Sequence, residues 1–354
     1  MKKRLSIMLA GLLLLAGCGS STSAGTPAPA ASLDPAAVAE AQKEAEAVAQ
    51  QAEAVVQEAA KDAQQIIDTL NAAADIKILA PNGAPAMSLL PVVESGSKNV
   101  TFVDGADALQ AAFVNPTPEY DVIIAPSNLG LKLASADKTS YRMLGVVTWG
   151  NLYMVGTADT SDDPSTWTKV ASFGEQSVTG MVFNKVFGDK LPTDAITWYN
   201  STAEASAALL AKETTVAMLA EPNVTATIGK AKENGLDLKV ISDIQQLYGE
   251  GGFPQAALFV RKDKYEENKA IYDSLMAGLS AASTELNGLS EEDLVKRIEA
   301  AGGAEQFGIP STQVAAKTWK KMNINIVSAK DHMDQLKDFA KLFGIEDISG
   351  AVIQ

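Results

Sequence analysis

The 354 residues contain one cysteine, Cys18, and one histidine, His332, and these are the side chains whose chemistry is easiest to delimit. A single thiol and a single imidazole do not readily build a Ser-His-Asp or Cys-His nucleophile system, or a His-rich metal site. The cysteine count also rules out disulfides and Cys-ligated zinc. His332 stands beside Asp331 and Asp334 in a charged, helix-like setting, so we interpret it as a solvated surface residue. These side chains indicate no metal and no cofactor, and they leave only carboxylate-based catalysis open.

Cys18 ends an N-terminal segment that is typical of an export signal. Lys2, Lys3 and Arg4 form a positive start, and residues 5–15 form a short apolar run that is too short for an ordinary spanning helix. Leu15-Ala16-Gly17-Cys18 resembles the lipobox of bacterial lipoproteins. That resemblance implies removal of a signal peptide over residues 1–17, and acylation of Cys18 with palmitate-like chains that anchor the protein firmly. The alternative is an uncleaved membrane anchor that ends at a chance cysteine.

Composition limits the partners. The formal net charge is −14, and removal of Lys2, Lys3 and Arg4 with the signal moves it to −17. A chain this acidic makes nucleic acid an improbable partner. The hydrophobic content of 47% describes a globular protein, and no second apolar run approaches the length of a membrane span. We therefore expect the membrane to be reached only through the lipid, on the outer face of the cell membrane (extracytoplasmic or periplasmic).

Two further segments precede the globular part. Residues 18–33 are rich in Ser, Thr, Ala, Pro and Gly and predict a flexible tether. Residues 34–74 are rich in Ala, Glu, Gln and Lys, with small apolar residues three and four apart, and predict one long helix. We interpret this Ala-rich helix as a spacer, because an Ala seam buries little; a stalk or partner-binding coiled coil is the alternative.

From Asp75 onward the pattern alternates short β-rich runs with helical stretches, which indicates an α/β architecture. The first set predicts strands over 76–80, 100–103 and 120–125 and helices over 86–94 and 106–113; the second predicts strands over 170–174, 196–199, 215–220 and 238–241 and a helix over 201–212. Residues 143–156 are apolar for longer than one strand needs and break at Gly150-Asn151, which predicts a strand pair crossing between two lobes. A strand over 256–260 follows, and the remaining chain reads as mainly helical.

The segments "ILAPNGAPAMSLL" (78–90), "DGADALQAAF" (104–113), "YDVIIAPSNLG" (120–130), "STAEASAALLAKETTVAMLAEPNV" (201–224) and "GGFPQAALFVRKDKYEENKAIYDSLMAGLSAA" (251–282) occur in an informative order. In combination they resemble the periplasmic solute-binding proteins of ABC importers for nitrate, sulfonates, taurine and thiamine-pyrimidine precursors. The resemblance implies a two-lobed type 2 periplasmic binding protein fold with hinge strands, preceded here by the long helix. It implies lobe 1 over 75–152 and 258–354, lobe 2 over 153–257, and a small-molecule solute, an ABC permease and an ATPase subunit as partners.

In folds of this kind the ligand lies at the carboxyl ends of strands, where helix N-termini present free N–H groups. The candidate ligand-binding residues are those that follow strands at the inferred cleft: Asn82, Gly83, Ala84, Pro85, Ser127, Asn128, Thr148, Trp149, Asn151, Ser177, Val178, Thr179, Glu221, Tyr248 and Phe253. Several have structural alternatives, because Asn82-Gly83 also favours a turn, Ser177 also favours a helix cap, and Trp149 also favours core packing.

No Lys or Arg falls among these candidates, so an anion would depend on N–H and hydroxyl donors. Trp149 and Glu221 favour a neutral or amine-bearing aromatic ring slightly more, with Glu221 accepting from a ligand amine or else facing solvent. We expect a binding protein and no enzyme, since capture needs no covalent chemistry. The alternatives are a small-molecule lyase or synthase that uses an acid such as Glu221, and an interaction lipoprotein that binds a partner through its N-terminal helix.

Overall fold

The computed structural model describes residues 66, 68, 69, 71 and 73–354. The signal peptide, Cys18, the tether and nearly all of the Ala-rich helix lie outside the described residues. Within the described part, no helix is long and apolar enough to cross a membrane. The same part contains no group of three His, Cys, Asp or Glu side chains that could hold a metal ion.

Eleven strands of the described chain form two separate sheets. The first sheet has six strands in the order β11-β4-β10-β3-β1-β2, with β1 Ile78–Pro81, β2 Val100–Val103, β3 Val122–Pro126, β4 Tyr141–Thr148, β10 Ala256–Arg261 and β11 Ile324–Ser328. The second has five strands in the order β7-β6-β8-β5-β9, with β5 Leu152–Thr157, β6 Val170–Phe173, β7 Ile196–Tyr199, β8 Val216–Ala220 and β9 Leu238–Asp243. We call each sheet with its helices a lobe, numbered as the sheets are.

Thirteen α-helices pack on these sheets in the described part: α1 Ala84–Met87, α2 Leu90–Glu94, α3 Ala106–Val114, α4 Ser127–Ser135, α5 Val178–Phe187, α6 Thr202–Leu210, α7 Asn223–Glu233, α8 Ile244–Tyr248, α9 Lys262–Glu267, α10 Lys269–Gly288, α11 Glu291–Ala300, α12 Thr312–Thr318 and α13 Met333–Lys341. Short 3₁₀ turns cover Pro164–Thr166, Glu305–Phe307, Trp319–Met322 and Ala329–His332.

Both sheets are covered on both faces, which explains the nearly continuous apolar runs of their central strands. In β3, Val122 and Ile124 enter one core cluster, whereas Ile123 and Ala125 enter another on the opposite face. In β8, Met218 and its neighbour Leu219 divide between the two clusters of the second lobe in the same way. Successive side chains of a strand point to opposite faces, so each sheet is the middle layer of a three-layer sandwich.

The strand directions determine which strand ends lie together at the side of each sheet that faces the other sheet. In the first sheet β1 and β3 run parallel, and β10 runs antiparallel to β3 and β4, so the carboxyl ends of β1, β3 and β4 meet the amino end of β10. In the second sheet β6 and β8 run parallel and β5 antiparallel to β8, so the amino end of β5 lies at the carboxyl end of β8. Residues 149–151 join β4 to β5 across this edge, and residues 249–255 return from α8 to β10.

The predicted type 2 periplasmic architecture and the strand pair crossing between lobes therefore describe the observed topology. In the structure β5 begins at Leu152 and β10 at Ala256; the lobe boundaries inferred from the sequence, 152/153 and 257/258, stay predictions. The helix predicted over 86–94 is instead two helices, with Pro91 in the first turn of the second, where its missing N–H costs nothing. The described chain after residue 260 is mainly helical, as expected, and also contains the strand β11, which the sequence analysis did not predict.

Candidate functional site

A cavity of about 500 Å³ lies between the facing edges of the two sheets. Its first-lobe walls come from the ends of β1 and β3, from α4, and from residues around the start of β10, and its second-lobe wall is the beginning of α5. Sixteen residues line it: Pro81, Pro85, Ala106, Gln110, Pro126, Asn128, Leu129, Lys132, Leu133, Ala136, Lys138, Ser177, Val178, Thr179, Gln255 and Ala256. The volume falls within the range of small-molecule sites.

Two helix N-termini from different lobes present free N–H groups at this cavity. Helix α4 begins directly after Pro126, and no hydrogen bond within the described part of the chain uses the backbone N–H of Asn128 or Leu129. Helix α5 begins after Ser177, and the backbone N–H groups of Val178 and Thr179 likewise have no partner among the described residues. All four residues line the cavity. Free N–H groups and the positive ends of two helix dipoles favour an anion or a polar head between the lobes.

The hydroxyl groups beside α5 are already occupied by the protein. Ser177 Oγ donates to the Gly174 carbonyl oxygen at 2.7 Å, and Thr179 Oγ1 donates to the Phe173 carbonyl oxygen at 3.0 Å. Ser177 holds the N-cap position of α5, where its Oγ lies 2.8 Å from Thr179 Oγ1 but accepts no hydrogen bond from a backbone N–H of the described helix. The second lobe therefore presents its backbone donors, rather than its hydroxyl protons, to the cavity.

Unpartnered buried polar atoms collect along the first-lobe edge of the cleft. The described residues contain five such side-chain atoms, and four of them are Ser127 Oγ, Thr148 Oγ1, Asn151 Oδ1 and Gln255 Oε1. Ser127 N–H donates to the Gln255 carbonyl oxygen at 3.0 Å, and Gln255 N–H donates to the Thr148 carbonyl oxygen at 3.0 Å, so three of them lie on neighbouring strand ends. Buried polar groups without partners are rare and costly, and their concentration here marks the edge where the lobes meet.

The charges of the lining correct one expectation from the sequence. Lys132 and Lys138 both line the cavity, so the inference that no cation is available there was wrong. Among the described residues that form the lining there is no carboxylate. Sequence reasoning missed these lysines because it predicted no helix after Asn128; with α4 in place, Asn128 and Lys132 are four residues apart and share a helix face.

Five of the candidate residues named from the sequence line this cavity: Pro85, Asn128, Ser177, Val178 and Thr179. Ser127, Thr148 and Asn151 lie buried along its edge, with the unpartnered atoms described above. Asn82, Gly83 and Ala84 lie outside the lining. Asn82 donates to Asp104 Oδ1 at 2.7 Å, Gly83 N–H donates to the Phe307 carbonyl oxygen at 2.7 Å, and Ala84 is buried in the first-lobe core.

Trp149 lies in the crossing segment 149–151 but does not line the cleft cavity. Its indole N–H donates to the Asn325 carbonyl oxygen at 2.9 Å, and its ring lies 5.3 Å from that of His332. It borders two other cavities together with Gly251 and Asn323.

Glu221 has a side chain that is buried and bound by other protein groups. Its side chain has no exposed surface, Thr225 donates to both carboxylate oxygens at 2.9 and 3.0 Å, and Lys321 Nζ of the first lobe lies 3.6 Å away. Its backbone exchanges hydrogen bonds with Asn151 at 2.8 and 2.9 Å. The carboxylate thus joins the start of α7 to the opposite lobe.

Tyr248 and Phe253 pack together with a ring distance of 5.3 Å, and Phe253 is fully buried in the second-lobe core against Phe339. Burial raises the pKa of Tyr248 to about 12, with the nearby Asp338 carboxylate adding to the rise. Lys185 Nζ lies 5.2 Å from the centre of the Tyr248 ring. Neither aromatic residue lines the cleft cavity.

Solved structures with the same fold include several binding proteins. An ABC transporter structure from Parabacteroides distasonis superposes with a TM-score of 0.62 at 19% identity, over 79% of this chain and 96% of that one. The aliphatic sulphonate binding protein SsuA from Escherichia coli gives 0.57 at 16% identity, over 79% and 92%. The alkanesulfonate-binding protein SsuA from Xanthomonas axonopodis pv. citri, bound to MOPS, gives 0.54 at 18% identity, over 78% and 97%. No protein-family model and no curated protein sequence matches the chain.

The described chain therefore has the two-lobed type 2 periplasmic binding protein fold, which confirms at the level of fold the resemblance drawn from its sequence. Of the three neighbours, the Parabacteroides distasonis protein is an ABC transporter protein, and the other two are sulfonate-binding proteins.

Proposed function

We propose that this protein is the extracytoplasmic, lipid-anchored solute-binding component of an ABC importer, and that it captures a small organic anion between its two lobes. The observation that carries the proposal is the convergence of two helix N-termini, one from each lobe, on a single cavity with four free N–H groups. A ligand that bridges Asn128 and Leu129 to Val178 and Thr179 binds best when the lobes approach each other, so it favours closure.

The chemistry of the lining supports an anion over the amine-bearing ring that the sequence slightly favoured. Among the described residues that line the cavity, Lys132 and Lys138 are the charged ones. Glu221, the acceptor that an amine would need, has both oxygens taken by Thr225. Proline, alanine, leucine and valine side chains complete the walls, and they suit an apolar body on the anion. Two structural neighbours are sulfonate-binding proteins, which agrees with this choice.

The lining supports capture rather than catalysis. Its residues include no carboxylate, imidazole or thiol, the groups that most often act as acid, base or nucleophile. A binding protein returns its ligand unchanged, so incubation of a bound ligand with the purified protein followed by mass spectrometry of that ligand tests this part directly. Conversion of the ligand would favour the lyase or synthase alternative.

The principal experiment removes one of the free N–H donors. Val178→Pro deletes the N–H at the first position of α5, a position where proline is compatible with a helix, and the preceding Ser177 already has the extended backbone that a residue before proline adopts. Glu291→Pro is the matched control, since Glu291 is the exposed first residue of α11 after the cap Ser290 and lies outside the cleft.

Calorimetric titration with methanesulfonate, butanesulfonate, sulfate and butanoate measures the result. We expect at least one anion to bind saturably, with an affinity about ten times weaker in Val178→Pro and unchanged in Glu291→Pro, since hydrogen bonds to charged groups contribute about 1.5–3 kcal/mol. Equal affinities in both variants would place the anion elsewhere. Binding of neutral amides or amines in preference to every anion would contradict the ligand class.

The membrane anchor is a separate part of the proposal. Cleavage of residues 1–17 would leave Cys18 as the acylated first residue, residues 18–33 as a tether and the Ala-rich segment 34–74 as a spacer. Metabolic labelling with a radioactive fatty acid should mark the wild-type protein and not Cys18→Ser, and only the wild type should remain with membranes after a salt wash. Loss of solute uptake on deletion of either a cognate permease or this protein would test the importer role.

A further inference from the structure

One face of α4 lines the cleft, and this face carries the side chain of Lys132. Leu129, Lys132, Leu133 and Ala136 all line the cavity. Their spacing of three and four residues puts them on one face of a helix. Lys132 is exposed, but it lies on the face of α4 that borders the cavity.

A turn after α4 brings Lys138 to the same cavity. After α4 the backbone takes a left-handed conformation at Asp137, with φ of 53°, and Lys138 N–H donates back to the Leu133 carbonyl oxygen at 2.8 Å. Lys138 also lines the cavity. Lys132 thus lies one helical turn after Asn128, and Lys138 lies just beyond the end of α4, so both follow the free N–H groups of Asn128 and Leu129 along the helix direction.

Neither ammonium group is neutralised within the described residues. The nearest acid in the sequence, Asp137, pairs with Arg142 at 3.1 Å, and no ion pair or hydrogen bond is formed by the side chain of Lys132 or Lys138 in the described part of the chain. In a protein with a formal net charge of −14, two unneutralised cations beside a cavity whose lining holds no acid point to a negative group on the ligand.

On the basis of the proposed function, we infer that the ligand is a dianion with an apolar body between its two negative ends. One end lies at the N-termini of α4 and α5, and the other lies near Lys132 and Lys138. Asn128 and Lys132 are four residues apart, which is about 6 Å along the helix, and Leu129 and Leu133 line the distance between them. A short dicarboxylate or a sulfonate with a terminal carboxylate fits this description.

Two matched pairs of probes test the inference on the purified protein. Pentanesulfonate is compared with 5-sulfopentanoate, and hexanoate with adipate, so that each pair differs only in whether a terminal methyl group is replaced by a carboxylate. We expect the dianion of a pair to bind at least about ten times more tightly, since a hydrogen bond between charged groups is among the strong ones in proteins. In Lys132→Met and Lys138→Met the ratio of the two affinities should fall towards one.

Lys230→Met is the control, because Lys230 is exposed on α7, makes no ion pair in the described chain and does not line the cavity. Its affinity ratio should equal that of the wild type, and added salt should lower the ratio in the wild type by screening. A ratio within twofold of one in the wild type, or one that survives both lysine substitutions, overturns the dianion inference while leaving the anion site in place. Absence of saturable binding for all four probes overturns the anion site itself, and the inference with it.

Discussion

Glu221 offers the sharpest single test of how this structure is held together, because its carboxylate is buried and fully engaged by protein groups. Thr225 N–H and Thr225 Oγ1 donate to its two oxygens at 3.0 and 2.9 Å, within the first turn of α7. Lys321 Nζ lies 3.6 Å from one of them, but the Lys321 side chain is 48% exposed. The substitution Glu221→Ala removes the acceptor of both Thr225 donors and the partner of Lys321.

The expected loss follows from these contacts. A hydrogen bond to a charged group contributes about 1.5–3 kcal/mol, and loss of a helix-capping acceptor costs about 0.5–2 kcal/mol. The two bonds share one carboxylate and are not additive, so we expect Glu221→Ala to lower the free energy of unfolding by about 2–4 kcal/mol. Lys321→Met should cost at most about 1 kcal/mol, because Thr225 still donates to both carboxylate oxygens and an ion pair with a half-exposed lysine contributes little.

Urea unfolding followed by tryptophan fluorescence measures these differences, and Thr225→Val is the matched variant that keeps the carboxylate. We expect Glu221→Ala and Thr225→Val to be less than additive in the double variant, since both remove the same hydrogen bond. If Glu221→Ala costs less than about 1 kcal/mol yet weakens anion binding tenfold, the carboxylate acts on the ligand and our reading of it as a structural link between the lobes is refuted.

Two other predictions concern the crossing segment and the pH dependence of stability. Gly252→Ala should destabilise the fold by about 2–4 kcal/mol, because Gly252 has φ of 80° and a Cβ there would overlap the Trp149 carbonyl oxygen. Gly229 lies inside α7 with nothing near an added methyl group, so Gly229→Ala should stabilise the fold by about 0.5–1 kcal/mol. The same urea assay measures both changes. Burial, with the Asp243 and Glu221 carboxylates adding to it, raises the pKa of Tyr153 well above its usual value. The folded state therefore binds the Tyr153 hydroxyl proton more tightly than the unfolded state does. The resulting contribution to the free energy of unfolding is fully present below about pH 10. It declines by up to about 1.4 kcal/mol per pH unit as the pH rises towards the raised pKa. Unfolding curves between pH 9 and 11 for wild type and Tyr153→Phe should show a shallower decline in the variant.

Much of the fold could be predicted from the sequence, because its central strands are apolar runs that end at polar loops. The runs ending at Ala125 and Ala220 are buried on both faces, and their length and composition sufficed to place β3 and β8. By contrast, β11 is an edge strand of five residues, Ile324–Ser328, next to a lysine-rich turn. Its sequence INIVS alternates apolar and polar residues as a strand does, but the segment is short and stands between helices, and its stability comes from pairing with β4.

The candidate site was predicted in part for a physical reason. Positions directly after strands are fixed by topology, so Asn128 and the start of α5 could be placed at the cleft. The helix α4 was not predicted beyond Asn128, because its sequence "SNLGLKLAS" contains residues that favour caps and turns and a glycine in its middle. The structure explains that glycine: a Cβ at Gly130 would overlap the ring of Phe259. Without the helix, Lys132 could not be assigned to the cleft.

The directions of the side chains in and beside the crossing segment could not be predicted from the sequence. Thr148, Trp149 and Asn151 are close neighbours in the chain, but Thr148 and Asn151 leave unpartnered atoms at the cleft edge, whereas Trp149 points to Asn325 and His332. Residues one apart in extended backbone point to opposite sides. Which side faces the cavity depends on how β4 pairs with β10 and β11, a contact made more than a hundred residues later in the chain.

The protein is negatively charged overall, whereas the lining of its cleft is positively charged. The distance over which each charge acts decides which of them affects a ligand. A net charge of −14 repels anions at long range, but at physiological ionic strength that repulsion is screened beyond about 8 Å. The free N–H groups of α4 and α5 and the exposed ammonium groups of Lys132 and Lys138 border the cavity, so a bound anion lies closer to them than the screening length. Capture then depends on local donors, while the acidic exterior lowers the rate of encounter. Added salt should accordingly raise the association rate constant of an anion and raise its dissociation rate constant as well, which a stopped-flow measurement separates.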